Sequence, residues 1–178
     1  MRVWRRAKDG TLLLRLRANE AFALQRIATD LAAIVASPPD GDLADRLYPR
    51  AYLDPTEDTS ELEFQSLVHE DLSSARVEAL QRIAIGVHGA ADPDSEAFVD
   101  IAVAADDEVS WVTALNDARL VLGTTLAVDE ETDTMYAPDD PRYEMGLLYQ
   151  WLGWVQDELV EVLMEDLPPE GTNAADSN

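Results

Sequence analysis

The sequence predicts an α+β, mainly α fold: a helical bundle with a small antiparallel sheet made of an N-terminal hairpin plus a strand near 98–104. Three observations predict it. Apolar residues recur at three- and four-residue intervals over most of the chain, the mark of helices that bury one face. At the N-terminus, Asp9-Gly10 separates two short runs of alternating character and supplies the residues that a tight hairpin turn needs. Between two helical regions, Phe98–Ala104 sends Val99, Ile101 and Val103 one way and Asp100 the other, as a half-buried strand does.

Taken in order, residues 2–7 and 11–17 form the hairpin. Leu12, Leu14 and Leu16 share one face and Leu13, Arg15 and Arg17 the other, so helices are expected to cover the leucine side only. The first helix begins near Asn19 and runs to about Ala36 on Leu24, Ile27, Leu31, Ile34 and Val35, until Pro38-Pro39 stops it. A short helical turn follows at Asp42–Leu47. Asp54-Pro55-Thr56-Glu57 then places a capping residue before a proline at the first helical position, a start signal for a region reaching about Val87. This region is read as one helix or as two with a break around Ser66–Asp71, because Leu67, Val68 and Leu72 do not join smoothly in phase to Leu80, Ile83 and Val87. Ala90–Glu96 is a loop. Asp106 is expected to cap the next helix, which carries Trp111, Leu115, Ala118, Leu122 and Leu126 on one stripe. After the acidic connection Asp129–Pro138, Asp140-Pro141 repeats the cap-then-proline signal, and a last helix with Leu148, Trp151, Leu152, Val155, Leu159, Val162 and Leu163 runs to Pro168-Pro169. The expected organisation is one domain over 1–167 and a disordered tail over 168–178, where small polar residues show no apolar period.

Composition narrows the functional classes. Hydrophobic residues make up 47% and charged residues 28%, ordinary for a chain that folds, despite a net charge of −23. The chain has no cysteine, which excludes disulfides, thiolate metal sites, thiol nucleophiles and thiol redox switching. Arg15 and Arg17 interrupt the only leucine run near the N-terminus, no stretch approaches a membrane span, and a cytoplasmic protein is expected. The charge is uneven. Arg2, Arg5, Arg6, Lys8, Arg15, Arg17 and Arg26 face only Asp9 and Glu20 within residues 1–26, a net of +5, which leaves −28 for the rest. So acidic a body repels phosphate backbones, and any contact with nucleic acid would run through this basic arm.

Catalytic and cofactor patterns are missing. His69 and His88 stand nineteen apart and do not share a metal-binding helix face, and His69-Glu70-Asp71 point in different directions on a helix. Asp129, Glu131 and Asp133 have the alternation of a calcium loop, but Thr134 occupies the glycine position; Asp92, Asp94 and Glu96 fail likewise at Ala97. No phosphate-cradling glycine loop occurs. The expectation is a non-enzymatic chain with no cofactor and no metal. Its candidate partner-binding residues are Arg2, Trp4, Arg5 and Arg6 in the arm, Asn116, Asp117 and Arg119 in the string Leu115-Asn116-Asp117-Ala118-Arg119-Leu120, and Trp154 in the last helix. Trp4 among arginines suits an interface. Trp151, Trp154, Met145, Leu147 and Tyr149 widen the apolar arc of the last helix beyond one core-facing stripe, which suits a central helix or a contact with a partner or a second copy. Asn116 and Arg119 share one helix face with Gly123. They either dock a partner, or serve the fold through an acidic partner for Arg119 and a loop backbone for Asn116. Gly123 costs about 1 kcal/mol against alanine inside a helix, so a close packing approach is expected there.

Over roughly residues 1–165 the chain resembles the AosR-like family of actinomycete oxidative-stress regulators, long catalogued as an actinobacterial domain of unknown function. The resemblance rests on the hairpin entering Asn19-Glu20, on Arg46-Leu47-Tyr48-Pro49-Arg50-Ala51-Tyr52, and above all on residues 114–126, Ala-Leu-Asn-Asp-Ala-Arg-Leu-Val-Leu-Gly-Thr-Thr-Leu. It implies a cytoplasmic, non-enzymatic regulator that acts with the transcription machinery under oxidative stress. Redox sensing in that family is associated with a cysteine pair, which this chain lacks, so another input is needed. The function expected from the sequence is therefore a protein-interaction module, a transcription-associated regulator with a protein partner. The alternatives are direct DNA binding through the arm and an enzyme of unknown class.

Overall fold

Alternation at the N-terminus places leucines on one side of a hairpin, and those leucines recruit the helices. The computed structural model describes residues 2–37, 41–51, 54–129 and 134–165. Strands β1 (Trp4–Arg6) and β2 (Leu12–Arg17) pair antiparallel across the turn at Asp9-Gly10, where Gly10 has φ 87° and the Asp9 carboxylate accepts the Thr11 N–H at 3.0 Å. Strand β3 (Phe98–Val103) adds to the free side of β2, giving the order β1-β2-β3 with Leu14 opposite Ile101. Five helices follow the strands in chain order or lie between them: α1 (Ala18–Ala36), α2 (Asp42–Leu47), α3 (Asp58–His88), α4 (Glu108–Thr125) and α5 (Tyr143–Glu165). The fold is thus α+β and mainly helical, with a minor three-stranded antiparallel sheet.

The sheet is covered on one face. Leu12, Leu14, Leu16, Ile101 and Val103 are buried, whereas Arg15, Arg17 and Asp100 lie on the open face. Strand β2 runs straight into α1: the Glu20 carboxylate accepts the Arg17 N–H at 2.8 Å, and the carbonyls of Ala97 and Ser95 accept the Ala18 and Asn19 N–H groups. Backbone carbonyls thereby satisfy the first two helical N–H groups, and the Glu20 side chain satisfies the one before them. Helix α1 lays Ala21, Leu24, Ala28, Leu31 and Val35 into the core beside Leu80, Ile83 and Val87 of α3, and α4 and α5 add Trp111, Leu115, Leu152, Val155 and Leu159.

One alternative is decided and one expectation needs correction. Of the two readings of the region after Asp54, the single helix holds: α3 has no break at 66–71 and is preceded by a 3-10 turn at Pro55–Glu57 in which Asp54 accepts the Thr56 N–H. Asp106 does not cap α4: it sits inside a second 3-10 turn, Ala105–Asp107, and the helix starts from Asp107 without a side-chain cap. Asp140 does hold its turn, accepting the Arg142 N–H at 2.8 Å, and α5 begins at Tyr143. Pro38-Pro39, Glu131, Asp133, Pro168-Pro169 and the tail 168–178 lie outside the described residues.

Candidate interaction site

The basic arm is folded onto carboxylates. Arg2 donates to Glu165 at 2.9 Å and lies 3.8 Å from Glu161, both on α5, and these glutamates raise its pKa. Arg5 donates to Asp100 on β3 at 3.1 Å, and Arg6 makes a two-pronged pair with Glu108 at the start of α4. Trp4 is buried and is removed from any contact surface. Strand alternation turns it to the leucine side, where its indole N–H donates to the Val155 carbonyl at 2.8 Å and its ring meets Trp111 edge-on, 5.5 Å between centroids. The Val3 N–H donates to Glu158 at 2.6 Å, so the first strand is anchored to the last helix by backbone and indole together.

Residues 114–123 divide between two jobs. Ala114, Leu115, Asp117 and Ala118 are buried. Asp117 has an ion pair with Arg76 of α3, whose guanidinium also lies over the Tyr48 ring at 5.5 Å. Burial pushes the Asp117 carboxyl above its ordinary pKa of 3.8, and Arg76 partly opposes that shift. This residue belongs to the interior and contacts no solvent.

Asn116 and Arg119 take the opposite side, and neither does what a purely structural role required. Arg119 has no carboxylate partner among the described residues: it donates to the Gln156 amide at 2.9 Å, its Nε is buried without a hydrogen bond, and its guanidinium stands 5.6 Å from the Tyr149 ring. Asn116 is exposed and among the described residues holds no loop backbone. Two glycines explain how α4 and α5 approach. A Cβ at Gly123 would stand 3.2 Å from the Tyr149 ring, and one at Gly153 would stand 3.4 Å from the Arg119 guanidinium, so each helix offers a bare stretch to the other's large side chain. The close approach expected at Gly123 is thereby seen. Beside this interlock lies a cleft of about 210 Å³, lined by Arg46, Asn116, Arg119, Leu120, Gly123, Val128 and Tyr149. It joins Arg46 of the 46–52 string to the 114–126 string. Two stretches distant in sequence thus meet at one place.

A second surface was missed in the sequence. On the N-terminal half of α3, Leu62 is 71% exposed and Leu67 75%, with Phe64 and Leu72 also open to solvent. Val109, at the start of α4, is 75% exposed. Between the two helices runs a groove of about 280 Å³ lined by Leu72, Ala75, Arg76 and Ala79 on one side and Val109, Ser110 and Thr113 on the other. The available signal was the dephasing of Leu67 and Leu72 from the core stripe, which marks side chains that the core does not claim.

Along α5, Trp154 is 42% exposed and shares a stripe with Leu147, Glu158, Glu161 and Glu165 at helical spacing. Arg2 and Trp154 therefore border one face, while Arg5 and Arg6 are held elsewhere, at Asp100 and Glu108. His69 packs on Tyr48 with ring centroids 4.4 Å apart, and His88 shares a hydrogen bond with Gln25 at 2.8 Å. Among the described residues no group of three or more acidic or histidine side chains is placed to hold a metal ion, and no helix is long and apolar enough to cross a membrane.

Residues 1–163 match the family model of a domain of unknown function, DUF2017. No curated protein and no solved structure matches the chain.

Proposed function

We propose that this chain, which belongs to the DUF2017 family over residues 1–163, is a non-enzymatic protein-interaction module and a transcription-associated stress-response regulator. One observation carries the interaction: the uncovered apolar side chains of Leu72 and Val109 in the α3–α4 groove, with Leu62 and Leu67 exposed nearer the start of α3. Exposed large side chains gathered at a groove between helices suit an added helix laid along it. Charge selects the partner's chemistry. The exposed Asp71, Glu78 and Asp106 stand within one to three residues in sequence of the lining residues Leu72, Ala79 and Val109, the lining's own cation Arg76 is paired with Asp117, and the chain has a net charge of −23, so the occupant is a basic amphipathic helix of a protein partner. The transcriptional context is supported by the resemblance of residues 46–52 and 114–126 to oxidative-stress regulators.

The alternative of DNA binding through the arm is less well supported, because Arg2, Arg5 and Arg6 each have a carboxylate partner that phosphates would have to displace. A complex in a low-salt mobility-shift titration, abolished by Arg5→Glu with Arg6→Glu, would restore it.

The test is capture from native lysate with a photo-crosslinking residue at Val109, compared with the same bait carrying Leu67→Asp and Leu72→Asp. The expected result is a crosslink to a basic helical segment of a transcription protein, at least about tenfold weaker in the aspartate bait. Equal crosslinking in both baits, or a groove occupied only by a second copy in sedimentation of the chain alone, overturns the reading.

A further inference from the structure

We infer that the cleft between α2, α4 and α5 is a binding site for a small oxyanion, a carboxylate or phosphate carried on a compact, partly apolar body. The inference does not depend on the proposed α3–α4 partner. It begins with a mismatch of charge. The chain has 36 acidic residues against 13 lysines and arginines, so an arginine finds a carboxylate with ease, and Arg2, Arg5, Arg6, Arg50, Arg76, Arg82 and Arg142 all do. Among the described residues Arg17, Arg46 and Arg119 have none; Arg17 lies over the Phe98 ring on the open face of the sheet, whereas Arg46 and Arg119 line this one cleft.

Asn116 shares the lining, and among the described residues its amide has no hydrogen-bond partner. Arg119 spends one donor on Gln156, and its guanidinium packs close to the Gly153 backbone and near the Tyr149 ring, which restricts its movement. A restricted guanidinium, a second free one and a neutral amide form the donor set that recognises the fork of a carboxylate or phosphate. Leu120, Val128 and the Tyr149 ring supply an apolar wall for the rest of the ligand. The volume of about 210 Å³ is below the usual range for larger metabolites, roughly 300–1,000 Å³, so the body is small. A ligand held there bridges α2 to the α4–α5 pair. It offers an input signal to a chain that has no thiol.

The experiment is a titration of the whole chain, followed by the side-chain N–H signals of Arg119 and Asn116 in ¹H–¹⁵N spectra, with inorganic phosphate, acetate and benzoate as separate probes. The expected result is a saturable shift of both signals with at least one probe. Saturation by phosphate alone assigns the phosphate class, and tighter binding of benzoate than acetate assigns an apolar carboxylate. Affinity drops about tenfold or more in Arg46→Glu and in Asn116→Ala, both exposed and so without effect on the fold. It stays within about twofold in Lys8→Glu, which changes net charge as Arg46→Glu does but far from the cleft in sequence and element. No saturable shift with any probe up to tens of millimolar, roughly the weakest affinity a built site would have, overturns the inference. So does an equal loss in Lys8→Glu and Arg46→Glu, which would mark a response to net charge alone.

Discussion

Residues 79–87 of α3 bury Ala79, Leu80, Ile83 and Val87 against the rest of the core, whereas residues 58–72 of the same helix leave Leu62, Leu67 and Leu72 in water. The difference lies in what holds each half. The C-terminal half is fixed by apolar packing between α1 and α4. The N-terminal half is fixed at its edges by polar and ring contacts to the segment before it: Arg50 pairs with Asp58, Glu61 accepts the Ala51 N–H at 3.0 Å, and His69 lies on Tyr48. Arg76 stands at the junction, touching Tyr48 on one side and Asp117 on the other. One helix thus joins a core to a surface that its own apolar residues leave unsatisfied.

The contrast has measurable consequences, and the largest is in stability. Ile83→Ala should lower the unfolding free energy by about 3–4 kcal/mol in chemical denaturation, while Leu67→Ala changes it by less than about 0.5 kcal/mol. Similar losses at both positions would mean that the N-terminal half is packed after all. Next comes the junction. Arg76→Ala leaves the Asp117 carboxylate buried without its counter-charge, at a cost near 3 kcal/mol, and adding Asp117→Asn recovers part of it. Simple additivity of the two changes would break the coupling.

Smaller still is the pH dependence at that junction. The pKa of Asp117 is raised in the fold, chiefly by burial, so the folded state holds its proton more tightly than the unfolded chain. Its contribution is therefore full below the ordinary carboxylate value of 3.8 and is lost as pH rises through the raised value. Asp140 runs the other way: hydrogen bonds from Arg142 lower it to about 2, so its contribution is present above 3.8 and lost as pH falls toward 2. Stability curves of Asp117→Asn and Asp140→Asn should each lose the matching slope and keep the other. The gentlest probe is hydrogen exchange, in which amides of 58–70 should exchange faster than those of 79–87 without any change of the chain. A basic helix that occupies the proposed groove should narrow that gap.

Much of the fold was legible because its signals are local. Asp9-Gly10, Asp54-Pro55 and the leucine alternation act within a few residues, and the hairpin, the turn at Asp42–Leu47 and β3 appear where these place them. The break that the sequence allows at 66–71 and the structure lacks shows where such reading stops. Phase analysis assumes that every apolar residue seeks the same core, and α3 violates that by facing a core at one end and solvent at the other. Trp4 was misplaced for a related reason: its arginine neighbours suggested a surface, although the pairing of Trp4 with Leu14 puts it on the buried face. The 114–126 string was visible as unusual, yet its division into buried Asp117 and open Asn116 and Arg119 depends on where α3 and α5 lie. The convergence of Arg46 on the same cleft depends on tertiary contact alone, and local pattern carries no trace of it.

The bonds from Val3 to Glu158 and from Trp4 to Val155 span 155 and 151 residues, nearly the whole described chain. On a ribosome adding roughly 5–20 residues per second, β1 emerges on the order of ten seconds before the helix that receives it. Until then Trp4 has no acceptor for its indole and β1 no anchor, so residues made early are among the last to be secured. Release of α5 from the exit tunnel is the event that should complete the fold, and chains stalled before residue 155 should show Trp4 emission typical of an indole in water.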